Sequence, residues 1–200
     1  MAALFGLGRR CNCERAGFRL YGSAVAAARE PFLYRSLGVA DTLDGRFDLV
    51  CLHAFMLVRR LRREAAPGPA LAQAVFDAMF SDMDVSLREM GVGDLSVGRR
   101  MRAMWEAFNG RALAYDAALA TGDAAALETA LMRNVWRGTP PPQWTPDGAP
   151  DQAPGKQPPE SCAAVMARLV TAQVAYLDGQ GLDALAAGEA LFLSPAEALP

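Results

Sequence analysis

Enzyme chemistry needs a base, a nucleophile or a metal, and this chain of 200 residues offers few of them. It has one histidine, His53, so any Ser-His-Asp or Cys-His arrangement must pass through it. His53 is the only strongly polar side chain between Leu49 and Val58, in a stretch that reads as helix. That setting suits a hydrogen-bonded core histidine as well as a base or a metal ligand. Cys11 and Cys13 form a C-x-C pair, tighter than ordinary zinc spacing and without a second Cys/His pair to complete a site. Asp77, Asp82 and Asp84 lack the glutamate-plus-histidine spacing of helical di-metal centres. The glycines of GVGDLSVG (Gly91 to Gly98) follow a helical pattern rather than a strand, and no P-loop lysine accompanies them. The expectation is no metal, no cofactor and no enzyme.

Hydrophobic residues make up 52% of the chain and charged residues 21%, enough apolar material for one domain with a real core. The net charge of −2 gives no general reason to expect nucleic acid. Cys51 and Cys162 lie in apolar helical patterns, as small buried hydrophobes do in a reducing compartment. No segment reaches the length of a transmembrane helix. The apolar AALFGLG is followed by its arginines, not preceded by them as in a secretory signal, so residues 1–19 are expected to be a flexible terminus.

The strongest pattern runs from Gln73 to Leu119. Leu71, Val75, Met79, Met83, Leu87 and Met90 recur at spacings of three and four, as do Val97, Met101, Met104, Phe108, Ala112, Tyr115 and Leu119, with Trp105 beside the second stripe. Gly91 suits a left-handed helix end, and Asp94 or Ser96 can cap the next helix. Helices over 73–90 and 97–119, joined so tightly, must form an antiparallel hairpin. Arg99, Arg100 and Arg102 oppose the macrodipole in the first turns of the second helix. Either Asp84 and Glu89 across the hairpin balance them, or an acidic partner does. Met79 and Met83 fill a core or belong to an adaptable binding surface. Gly110, inside a helix, implies close approach by another helix or a ligand.

The remaining pattern is helical too. Residues 20–29 form an alanine-rich helix, and 32–37 a short turn of helix ended by Gly38. VADTLDGR reads as a loop turning at Asp44-Gly45. Phe47 to Glu64 is apolar almost all round, central in the core or facing a partner, with Arg59, Arg60, Arg62 and Arg63 as a charged rim. A helix capped by Asp123 runs to about Arg137. Eight of the 13 prolines fall between Gly138 and Glu160, so 139–160 is expected to be an irregular tether or arm. Ser161 caps a last substantial helix, and residues 161–200 pack on the body formed by 20–138. The fold class is all-α: a compact helical domain built around the hairpin, with the proline-rich tether and a C-terminal helix.

YRSLGVADTLDGRFDLVCLH (Tyr34 to His53), FDAMFSDMDVSLREMGVGDLSVGRRM (Phe76 to Met101) and FNGRALAYDAAL (Phe108 to Leu119) resemble the ubiquinol–cytochrome c chaperone family, over roughly Tyr21 to Arg137. The resemblance implies an all-helical assembly factor that binds cytochrome b or its assembly intermediates during biogenesis of the ubiquinol–cytochrome c reductase complex. It also implies a small helical co-chaperone and a membrane-peripheral place. That place would be cytoplasmic, at the inner face of a bacterial inner membrane, or on the matrix side of a mitochondrial one. Arg46, Phe47, His53, Asp94, Gly110, Arg111, Tyr115 and Asp116 match the family pattern. All of these except Gly110, with Met79, Met83, Arg99 and Arg102 from the hairpin, are the candidate partner-binding residues. The residues by themselves also leave open a non-catalytic scaffold or regulatory module that binds another helix, and an enzyme on a helical scaffold.

Overall fold

A computed structural model describes residues 2–139, 142–144 and 160–199, with side chains from residue 12 onward. In order the elements are α1 (Ala2–Ala28), α2 (Pro31–Arg35), α3 (Leu43–Arg62), α4 (Gly68–Glu89), α5 (Asp94–Thr121), α6 (Ala124–Val135), β1 (Gln143–Trp144), β2 (Glu160–Ser161), α7 (Cys162–Asp178), α8 (Leu182–Ala186) and α9 (Pro195–Ala198). The fold is all-α. The one departure among the described residues is a two-residue antiparallel ladder, Gln143 with Ser161 and Trp144 with Glu160, which ties the two ends of the proline-rich arm together. The arm between them, residues 145–159, lies outside the described residues.

The hairpin forms as its stripes dictate. Residues 90–93 connect α4 to α5, Gly91 takes the left-handed conformation (φ 79°), and Phe76 and Phe80 of α4 meet Phe108 of α5 edge-on. Leu71, Val75, Met79, Met83 and Leu87 are buried; Met90, last on the stripe, is half exposed. The cap is Gly93, with no side-chain bond, and Asp94 is the first helical residue, so neither Asp94 nor Ser96 caps α5.

The most deeply buried helix is α3. From Leu49 to Leu61 every residue except Val50 is buried, because α1, α4, α5, α6 and α7 all pack around it. It starts earlier than its apolar run. Thr42 caps it, the hydroxyl oxygen accepting from Gly45 N at 3.2 Å, and Asp44 lies in the first turn, where the macrodipole favours a carboxylate. The expected Asp44-Gly45 loop turn is therefore the first turn of a helix. Arg59 and Arg60 are core staples, not rim. Arg59 Nε donates to Asp116 at 2.9 Å. Arg60 donates to the carbonyls of Leu177 and Gln180 at 2.9 and 2.8 Å, tying α3 to the chain at and just past the end of α7.

α1 extends back to Ala2, so the stretch expected as a flexible terminus is assigned as helix. Small residues bring its described part close to its neighbours. Ala16, Ala24 and Ala28 are buried, and a Cβ on Gly17 would sit 2.5–2.8 Å from Ala74, two of the contacts being backbone atoms. The α1–α4 crossing thus depends on the missing side chain, and the Tyr21 hydroxyl donates to Asp82 at 2.7 Å further along it. By contrast, nothing among the described residues lies within 4 Å of a Cβ on Gly110, so no described helix exploits the close approach that Gly110 permits. Gly17→Ala should destabilise by about 2 kcal/mol or more through overpacking. Gly110→Ala should stabilise by up to about 1 kcal/mol through helix propensity. Urea unfolding of the two variants checks both signs.

Candidate functional site

Two groups of the candidate residues are brought together, and the rest are dispersed. The first group is built around Asp48, whose carboxylate is 1% exposed. Arg111 Nη2, from α5, donates to its Oδ1 at 2.6 Å. Arg137, just past α6, donates through Nε to its Oδ2 at 3.0 Å and through Nη1 to Asp44 at 3.0 Å. The Arg111 guanidinium also lies 5.4 Å from the centre of the Phe47 ring, within cation–π range. Arg137 holds φ at 54°, a left-handed conformation unfavourable for a side-chain-bearing residue and fixed here by its ion pairs. Burial pushes the Asp48 carboxyl above the usual range, and the two guanidiniums pull it back. Beside it, Arg111 Nε and Nη1 are buried without hydrogen-bond partners among the described residues, and the Tyr115 hydroxyl lies against the Asn134 amide. Asp48 was missed in the sequence because its apolar neighbours disguise it. The signal was a carboxylate on the apolar face of α3, which must find a cation.

The second group is Asp116, which faces Arg59 at 2.9 Å and Arg63 at 3.8 Å and locks α5 to α3. Phe47, Arg111, Tyr115 and Asp116 thus share the α3–α5 seam. Arg46 is exposed and pairs with Asp41 at 2.6 Å. His53 is a core histidine: its Nδ1 meets the carbonyl of Leu49 at 2.8 Å, and its ring lies 5.5 Å from that of Phe192. Met79 and Met83 are core residues, closed to any partner, as are Leu49, Leu52 and Leu57. They fill the contact between α4, α1 and α3.

The arginines of α5 are not balanced across the hairpin. Asp84 pairs with Arg88, which also reaches Asp94, and Arg102 pairs along its own helix with Glu106 at 3.1 Å. Arg99 and Arg100 are exposed and make no ion pair among the described residues. Apolar side chains share that open region. Leu95 is 97% exposed and Leu113 74%, and Met90, Val85 and Trp105 are about half exposed. Leu95, Arg99, Arg102 and Leu113 fall on one outward line of α5, opposite the Val97–Phe108–Tyr115 stripe. Stripe reasoning passes over such residues, because it selects the hydrophobes that share a face and discards those that do not.

Residues 35–192 match the family described as Ubiquinol-cytochrome C chaperone. The chain belongs to that family. It is 26% identical over 120 residues to the ubiquinol-cytochrome-c reductase complex assembly factor 1 of Xenopus laevis, covering 60% of each chain. It is 27% identical over 122 residues to the assembly factor of the same name from Mus musculus, covering 61% of this chain and 40% of that one. The match therefore spans less than two thirds of either relative. The crystal structure of the Cbp3 homolog from Brucella abortus superposes with a TM-score of 0.77 at 32% identity, over 98% of this chain and 99% of the other. The family's all-helical fold and the resemblance read from the sequence are both established. Among the described residues, no helix is long and apolar enough to cross a membrane, and no cluster of three metal-ligating side chains occurs.

Asp48→Asn should cost about 3 kcal/mol or more, because it leaves the Arg111 charge largely buried without a counter-charge. Arg99→Glu should change stability by no more than about 0.5 kcal/mol. Chemical denaturation distinguishes the two. Burial holds the His53 pKa down at about 4, against 6.5 for a free histidine, so the folded chain resists a proton that the unfolded chain takes up. Stability should therefore be fully present above about pH 6.5 and fall as the pH drops towards 4. In His53→Leu, that part of the slope should vanish from a pH series of unfolding curves.

Proposed function

We propose that this protein is an assembly chaperone of the ubiquinol–cytochrome c reductase complex, whose client is cytochrome b before the complex is finished. Membership of the chaperone family supports the general role. The observation that carries the client reading is the outer face of α5 and the hairpin tip. A chaperone for a membrane protein must offer bounded apolar surface to segments awaiting insertion, and solvated charge beside it. Leu95, Leu113, Trp105 and Met90 supply the first; Arg99 and Arg100, without an ion pair among the described residues, supply the second. The same arginines suit peripheral contact with anionic lipid at the inner face of the membrane. The open space at Gly110, beside the small Ala103 and Ala114, suits close packing by a helical co-chaperone. In this reading the protein is not an enzyme, and the Asp48 and Asp116 ion pairs fix the angle of α5 instead of contacting the client.

Deleting the gene should lower cytochrome b and assembled reductase while sparing other respiratory complexes. A chain carrying Leu95→Asp and Leu113→Asp should keep its melting temperature and lose co-purification with cytochrome b. Normal cytochrome b and reductase activity in the deletion strain would refute the proposal. Full binding by the double variant would move the client surface elsewhere.

A further inference from the structure

Beneath the C-terminal strap lies a cavity of about 410 Å³, within the size range of small-molecule sites. Its walls come from α1, α2, α3, α7 and residues 190–197, and are largely apolar: Ala26, Ala27, Leu33, Leu169, Leu193 and Pro195. One polar group in it is unusual. His53 is 2% exposed and lines the cavity. Its Nδ1 is committed to the carbonyl of Leu49, which can only accept, so Nδ1 carries the proton. With burial keeping the ring neutral, Nε2 is left as a bare acceptor with no partner among the described residues.

The other polar linings are sorted by their bonds. Gln173 gives both ends of its amide to Leu193, and Glu197 is held by Ser194. Glu30 has no partner, and no arginine or lysine lines the cavity, among the described residues. Two carboxylates without a described cation beside them disfavour an anion. A ring acceptor without a protein partner favours a ligand that can donate to it. We infer that this cavity is a binding site for a small, uncharged, largely apolar molecule carrying one O–H or N–H group, which donates to His53 Nε2.

The chain has a single histidine, so ¹⁵N-histidine labelling of the whole protein reports this one ring. The probes are 1-naphthol, naphthalene and 1-naphthoate. 1-Naphthol should bind saturably and shift the Nε2 resonance in the direction of an accepted hydrogen bond. Naphthalene should bind about tenfold more weakly, the worth of one buried hydrogen bond, and leave Nε2 unmoved. 1-Naphthoate should not bind. His53→Leu should lose the preference for naphthol over naphthalene; the three-probe comparison on the unaltered protein stands even where that variant does not fold. Equal binding of naphthol and naphthalene, binding of naphthoate at the strength of naphthol, or no saturable binding would each overturn the inference. None of these outcomes bears on the chaperone reading, which uses the opposite region of the chain.

Discussion

A carboxylate stripped of water must find cations, and Asp48 finds two from different parts of the chain. Arg111 reaches it from the middle of α5, and Arg137 from beyond the end of α6. Apolar packing is non-directional; on its own it would let α5 slide or rotate over α3 at little expense. The Asp48 pairs remove that freedom, because both guanidiniums are restrained, one against the Phe47 ring and one by a left-handed backbone. Asp116 with Arg59 repeats the restraint one and a half turns along α5. These two pins set the angle at which the hairpin leaves the body, and with it the direction in which its outer face points.

Most of the fold was legible because its signals are local or periodic. The left-handed Gly38, Gly91 and Gly122, the Asp123 and Ser161 caps and the hairpin stripes stand where the sequence places them. The failures share a cause. α3 begins at Leu43, before its apolar run, because a Thr42 cap and the macrodipole carry the first turn in place of packing. α1 begins at Ala2, and in its described part alanine and glycine, which hydropathy hardly registers, allow backbones to approach closely. Arg59 and Arg60 look like a solvated basic run, and only the tertiary position of α7 and Asp116 shows them to be interior.

The candidate site is less legible than the fold. Looking for an apolar surface with a charged edge through periodicity directs attention to the residues that bury. Leu49 to Val58 and the hairpin methionines were marked because they share a stripe, and sharing a stripe is why they are inside. Phe47, Arg111, Tyr115 and Asp116, singled out by family pattern, prove to hold α5 in place. Leu95 and Leu113 are informative because they break the pattern: an exposed leucine on the polar side of an amphipathic helix does nothing for the fold that carries it.

The two ends of the molecule are held by different physics. The hairpin is pinned by buried charge, whose removal is costly and whose geometry is discrete. The C-terminal strap is held by two glutamines that imitate a strand edge: Gln173 bonds both the N–H and the carbonyl of Leu193, and Gln180 does the same for Leu191. Side-chain amide bonds of this kind contribute about 1 kcal/mol each, and the Gln180 pair is solvent-exposed. Segments secured by few exposed bonds open far more readily than a packed core. Phe192, seated on His53 between the two clamps, can therefore leave the cavity without disturbing α3, α4 or α5. The buried ion pairs hold the hairpin to the body, while the strap over the cavity is held by fewer bonds, and neither arrangement weakens the other.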